Sequence, residues 1–190
     1  YSSVGVTIPG AELKISVPNK DGVGEVLAKG DMIMKGYYNN HEETDKVLKD
    51  GWFYTGDLGW KDREGYFYIV GRKKNIIVTG AGKNIYPEEI ENRLIQSPYI
   101  LEALVLGKKS SSGREEVGAI IVPDLEYLKQ VNKEQDLDEE KVKSLIKKEI
   151  DQCCEGMADY KKVKHFQIRK EEFEKTSTRK IKRFLFKSNT

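Results

Sequence analysis

Three groups of residues in this chain have the types and spacing to do chemistry. The first is Tyr54-Thr55-Gly56-Asp57. A carboxylate on a glycine turn directly after a strand can accept hydrogen bonds from both vicinal hydroxyls of a ribose, as an acidic residue does in dinucleotide folds. An aspartate that merely caps a turn explains the same four residues. Arg72, some fifteen residues on and following another strand-like run, offers a rigid fork of donors for a second ribose or phosphate contact, the plain alternative being a surface arginine.

The second group lies in GRKKNIIVTGAGKNIYPEEIE, residues 71–91. Gly80 and Gly82 permit a narrow backbone where the chain must bend or something slender must pass. Tyr86-Pro87 followed by Glu88 and Glu89 is a helix N-terminus with proline in the first turn. GAGKN resembles a phosphate loop only superficially, because Ile77 stands where the first glycine belongs and Asn84 replaces the Ser or Thr that holds magnesium. The third group is the basic tail FEKTSTRKIKRF. Its charge run reads as a solvated face or as a patch for nucleic acid or acidic lipid. The Thr176-Ser177-Thr178 tract predicts a tight turn that aims Lys180 and leaves its neighbours in water. A lysine so placed is a point charge suited to a carboxylate or phosphate whose charge moves during reaction.

The elements that must hold these groups differ between the two parts of the chain. Residues 1–71 carry short strand-type runs, VGVTIPGAELKISV, GEVLAKG, MIMKGYY and GYFYIVG, separated by Gly, Pro, Asn and Asp. They predict a β-barrel-like piece or curled sheet, with a helical turn at EETDKVLK. From residue 72 the pattern predicts a short strand at 76–78, a helix at 87–96, strands at 101–107 and 117–122 joined by KKSSSGREE, an amphipathic helix at 138–150 capped by Asp138, and a last strand, VKHFQI. That is a small α+β domain with helices on a three-stranded sheet.

Composition narrows the classes. Of 190 residues, 38% are hydrophobic and 34% charged, enough for a core. Thirty-three Lys plus Arg against 31 Asp plus Glu give a net charge of +2, which offers no global argument for nucleic acid. Cys153 and Cys154 are adjacent, so they make neither a disulfide framework nor a zinc site, and the reading is a reduced cytoplasmic protein. No apolar run reaches the roughly 20 residues that span a bilayer. The chain opens in mid-phrase at Tyr1, which reads as a piece of a longer protein.

In order and spacing, SVGVTIPGAELKI, GEVLAKGDMIMKGYYNNHEET, DGWFYTGDLG, GRKKNIIVTGAGKNIYPEEIE and FEKTSTRKIKRF resemble the C-terminal part of the adenylate-forming superfamily, most closely its AMP-forming long-chain acyl-CoA synthetases. The resemblance implies that residues 1–71 end a large AMP-binding domain and that 72–190 form a mobile lid swinging about a hinge at Lys74. It implies that Asp57 binds the ribose of ATP, that Arg72 supports the nucleotide, that Gly80, Ala81 and Gly82 line the path of the CoA arm, and that Lys180 contacts the acid's carboxylate and the α-phosphate during adenylation. The family often has proline where Glu174 stands and glycine where Arg179 stands. The implied reaction converts fatty acid, ATP and CoA to acyl-CoA, AMP and pyrophosphate, with Mg2+ ligands upstream of this chain, a large N-terminal domain as partner, and no activity expected of this chain alone. Two alternatives stand beside it: transfer to a carrier protein, and a non-catalytic module at a membrane surface carried by KIKRFLFK.

Overall fold

Alternation of apolar and polar residues in the first third of the chain produces antiparallel strands around one long central member. The computed structural model describes residues 3–110, 113–133 and 137–189. It divides into two compact units, Tyr1–Asn75 and Ile76–Thr190.

The first unit contains β1 (Ala11–Ser16), β2 (Gly24–Gly30), α1 (His41–Val47), β3 (Leu48–Lys49), β4 (Trp52–Lys61) and β5 (Phe67–Arg72). The sheet runs β1-β2-β4-β3, with β5 also on β4, and every pairing is antiparallel. Val26, Leu27, Leu58, Phe67 and Val70 are its buried apolar residues. Trp60 on β4 stacks on its cross-strand partner Tyr68 with ring centroids 4.2 Å apart, a pair worth about 0.5–1 kcal/mol beyond its area. Asn40 caps α1 by accepting the Glu43 N–H at 3.1 Å.

Two expectations change here. The barrel is not closed by a ladder among the described residues: β1 pairs only with β2, and the remaining link is an isolated Gly5–Phe67 bridge. MIMKGYY is not a strand, because its backbone groups are engaged elsewhere. The Ile33 N–H turns back to the Gly30 carbonyl, and the Tyr37 N–H donates to Thr44 Oγ1 on α1.

The second unit follows a 3₁₀ turn at Lys73–Asn75. It contains β6 (Ile77–Val78), β7 (Asn84–Ile85), α2 (Pro87–Leu94), β8 (Ile100–Lys109), β9 (Glu115–Pro123), α3 (Leu125–Asn132), α4 (Glu139–Cys153) and β10 (His165–Ile168). Strands β6 and β7 form a separate hairpin, and the main sheet has the order β10-β9-β8. The predicted three-stranded sheet with helices is therefore present. Residues 111 and 112 of the expected KKSSSGREE loop lie outside the described residues. Strand β10 runs parallel to β9, so the chain needs a crossover, and α3 and α4 supply it. Helix α3 was not evident in the sequence. Leu128 is its one buried residue, so its apolar stripe is thin, and its start is set by Asp124, which accepts the Tyr127 N–H at 2.9 Å.

Strand alternation gives the sheet two apolar faces. Ala103 and Val105 on β8, with Val117, Ala119 and Ile121 on β9, pack against Ile77, Ile85, Ile90, Leu94, Leu128, Ile146 and Ile150. That face carries the β6–β7 hairpin and the helices. Leu104 and Val122 pack on the other side with Phe173, joined by Leu106, Ile120, Ile181 and Phe186. That face is covered by the C-terminal tail.

Candidate functional site

In the first unit the TGD residues do not form a turn after a strand; they lie within β4, which bends and continues. Gly56 makes the bend with φ +71°, a conformation that L side chains rarely adopt. Thr55 Oγ1 secures it, donating to the Val26 carbonyl at 2.7 Å and accepting the Asp57 N–H at 3.0 Å. Asp57 and Arg72 are register partners on β4 and β5. Arg72 Nε meets Asp57 Oδ1 at 2.8 Å, and its Nη1 donates to the Thr55 carbonyl at 2.9 Å. The structure thus brings both predicted nucleotide residues together at a partly exposed edge, where the carboxylate keeps a face toward solvent. Glu25, which the sequence reading missed, accepts the Gly56 N–H at 3.1 Å and pairs with Lys73 at 2.8 Å.

Lys74 lies at the middle of the 3₁₀ turn Lys73–Asn75 and is exposed. Gly80, Ala81 and Gly82 form the tip of the β6–β7 hairpin. Its turn is closed by the Gly82 N–H to the Thr79 carbonyl at 2.8 Å and by the Thr79 N–H to the Lys83 carbonyl at 3.0 Å. Gly82 has φ +71° with open space around its Cα, whereas a Cβ at Gly80 would meet Arg114 Cγ at 3.2 Å.

Lys180 sits on a second small hairpin, built by the predicted Thr-Ser-Thr turn. The Arg179 N–H donates to the Thr176 carbonyl at 2.9 Å, the Thr176 N–H to the Lys180 carbonyl at 2.8 Å, and the Lys180 N–H to Thr176 Oγ1 at 3.2 Å. Arg179 has φ +60°, which explains physically why a glycine would suit this position. Lys175 and Ile181 bridge the two arms, and the Lys182 N–H reaches the Glu174 carbonyl at 2.9 Å. Lys180 itself is exposed.

Both arms of this hairpin are anchored on β8. Glu102, buried, accepts the Phe173 N–H at 2.8 Å and pairs with Lys175. The hydrogen bonds it donates to Glu102 and then Glu172 hold the Lys175 ammonium's pKa above its ordinary value. On the other arm, Arg183 Nη1 lies 2.6 and 2.8 Å from the two Glu91 oxygens, and its Nη2 donates to the Val105 carbonyl at 2.7 Å. Sequence reading missed this pair because Glu91 and Arg183 stand 92 residues apart and each resembles an ordinary surface charge in its own segment.

The glycine turn and the lysine hairpin do not come together. The first rises from the helical face of the sheet through Ile77 and Ile85, the second from the tail face through Ile181. Phe186 packs edge to face on Phe173 at 5.2 Å, while Phe184 and Leu185 beside it are exposed. Among the described residues no helix is long and apolar enough to cross a membrane. Nor, among those residues, is there a group of three or more His, Cys, Asp or Glu that could hold a metal ion.

The first unit thus joins Asp57 to Arg72, and the second carries a glycine turn and an exposed lysine turn anchored through different faces of its sheet. The chain belongs to the family described as the AMP-binding enzyme C-terminal domain, whose sequence profile matches residues 74–189. It is 50% identical over 99 residues to a long-chain-fatty-acid–CoA ligase of Bacillus subtilis (strain 168), a match covering 52% of this chain and 18% of that one. It is 49% identical over 100 residues to an indoleacetate–CoA ligase of Aromatoleum aromaticum, covering 53% of this chain and 19% of that one. Its fold is similar to that of the anthranilate CoA ligase AuaEII solved with anthranoyl-AMP, with a TM-score of 0.79 and 30% identity over 98% of this chain and 34% of that one. The chain thus spans about a fifth of the length of these curated relatives.

Proposed function

We propose that this chain works as the ribose-binding edge and swinging lid of an AMP-forming fatty acid–CoA ligase that uses ATP, CoA and Mg2+. In the first half-reaction the carboxylate oxygen of the acid attacks the α-phosphorus of ATP, the bond to the bridging oxygen breaks, and pyrophosphate leaves. Asp57 accepts hydrogen bonds from the ribose hydroxyls. Arg72 holds that carboxylate in place, and the Lys180 ammonium offsets charge as it shifts between carboxylate and α-phosphate. In the second half-reaction the CoA sulfur attacks the acyl carbonyl, the acyl–phosphate bond breaks, AMP leaves and the thiol proton passes to solvent. The Gly80–Gly82 turn, whose only side chain is the Ala81 methyl, gives the pantetheine arm its path. Lys74 is the swivel between the two arrangements.

The observation that carries this reading is the placement of Gly80–Gly82 and Lys180 on opposite faces of one sheet. Anchored through different faces, the two turns favour use in two separate orientations, one for each half-reaction. A fatty acid as substrate is supported by the 50% identity to the long-chain ligase. The test is a substrate panel on the full-length protein, comparing palmitate and oleate with indoleacetate and anthranilate by AMP release. Palmitate or oleate should exceed the aryl acids in kcat/KM by about tenfold or more, equivalent to about 1.4 kcal/mol of transition-state discrimination. A preference for an aryl acid would replace the fatty-acid assignment while leaving the ligase chemistry intact.

A further inference from the structure

Strand β8 lies at the end of the three-stranded sheet, so among the described residues one side of its backbone has no strand to pair with. At Val105, which is wholly buried, that side cannot turn to water. An unpaired N–H and C=O there would each cost about 1–3 kcal/mol. Two side chains take the place of the missing strand. Glu91 Oε1 accepts the Val105 N–H at 2.6 Å, Arg183 Nη2 donates to the Val105 carbonyl at 2.7 Å, and the two side chains close on each other through Arg183 Nη1. Glu91 comes from α2 on the helical face, while Arg183 comes from the tail on the opposite face. The pair therefore reaches round the sheet edge and bolts one to the other.

Arg183 lies only three residues beyond Lys180, at the foot of the returning arm of its hairpin. The outgoing arm stands on Glu102 of the same strand, through the Phe173 N–H and Lys175. Glu102 and Val105 are thus two footings on β8, one under each arm. The turn between them is exposed; its own hydrogen bonds run through Thr176, the Lys182 N–H to Glu174 carbonyl bond crosses the arms, and Ile181 packs on the tail face of the sheet, while the footings at Glu102 and Val105 tie the arms to β8. Both partners of the bolt are largely withdrawn from solvent, with side-chain exposures of 17% for Arg183 and 14% for Glu91. A planar guanidinium can serve a carboxylate and a carbonyl together, which an ammonium does less well.

We propose that Glu91 and Arg183 are positioning residues for Lys180: clipped to both backbone groups of Val105, they fix the hairpin from which the lysine reaches its target. This rests on the role proposed above for Lys180. The lysine's use demands a placement finer than its own exposed turn can provide, since a 1 Å displacement of a reacting group costs about 10²-fold in rate.

The test takes the full-length protein with Arg183→Met, Arg183→Lys and Glu91→Gln, the last keeping an acceptor for the Val105 N–H should Arg183→Met fail to fold. Hydrogen exchange should show the Thr176 and Lys182 amides losing about tenfold in protection in Arg183→Met and Glu91→Gln, with the Ile121 amide of the core unchanged. The kcat of pyrophosphate exchange should fall about 10–100-fold, with KM for ATP and conversion of supplied acyl-AMP staying within about twofold, and Arg183→Lys should recover part of the loss. Unchanged protection of the hairpin amides overturns the proposal, as does equal loss of both half-reactions. A loosened hairpin with intact pyrophosphate exchange also overturns it. Lys180→Ala, run alongside, then tells which idea failed. If that variant abolishes exchange, positioning alone is wrong. If it does not, the role of Lys180 is wrong and the positioning proposal falls with it.

Discussion

Ile77 and Ile181 pack against opposite faces of the same three-stranded sheet. Each anchors an exposed feature beside it: Ile77 the hairpin with Gly80 and Gly82 at its tip, Ile181 the turn that presents Lys180. The arrangement follows from strand alternation. Ala103 and Val105 face one way and Leu104 and Leu106 the other, so one short stretch of β8 supports two separate surfaces. A protein that needs two chemistries in sequence can obtain them by turning such a unit over, without rebuilding either surface.

Asp57 should matter to nucleotide and hardly to folding. Its ion pair with Arg72 is partly exposed, and such pairs are worth about 0–1 kcal/mol. Asp57→Asn should therefore change the urea midpoint little. In the full-length enzyme it should raise KM for ATP about 10–100-fold, the worth of a charge-assisted bond to a ribose hydroxyl being about 1.5–3 kcal/mol. An unchanged KM would remove the ribose role, and a large loss of stability would make the residue structural.

Arg179 pays for the turn that aims Lys180. Its φ of +60° is left-handed, which costs a non-glycine residue about 1–2 kcal/mol. Arg179→Gly should stabilise the chain by about 0.5–1 kcal/mol after allowing for the added freedom of the unfolded chain, whereas Arg179→Val should destabilise it. Thermal or urea unfolding of the two variants gives the answer. The same sign for both would show that backbone conformation does not govern this position.

Glu91 should leave a mark on the pH dependence of stability. Burial raises its carboxyl above the ordinary 4.5, against the pull of Arg183 and of the Val105 N–H. An acid whose pKa is higher folded than unfolded holds its proton more tightly when folded. Its contribution is then complete below about pH 4.5 and is lost as pH rises through the folded value. Comparing urea unfolding of the native chain and Glu91→Gln from about pH 4 to pH 7, the native chain should lose stability relative to the variant as pH rises. A difference constant with pH, or one of opposite slope, contradicts this.

The sequence made some of this legible and hid the rest for physical reasons. Pro87 with its acidic followers, the Asp138 cap and the Thr-Ser-Thr turn are local signals, and the elements appear where those residues place them. Strand runs such as GEVLAKG carry their own period and formed β2. MIMKGYY is also rich in strand-type residues but has its backbone groups engaged by a turn and by Thr44. Asp57 was read on a turn because Gly56 signals one, yet a long strand absorbed the bend. The footings of Lys180 were invisible, since Glu102–Phe173 and Glu91–Arg183 join residues 71 and 92 positions apart and nothing local marks either glutamate as buried.

The most direct test of the central claim separates the two half-reactions in one variant. In the full-length enzyme, Lys180→Ala should reduce acid-dependent ATP–pyrophosphate exchange by about 10²-fold or more, the scale of losing one charge-stabilising group. Conversion of supplied acyl-AMP and CoA to acyl-CoA should stay within about twofold, because the proposed rotation turns the lysine face away for that step. Equal loss of both, or loss of thioester formation with exchange intact, would contradict the assignment of the two sheet faces to the two reactions.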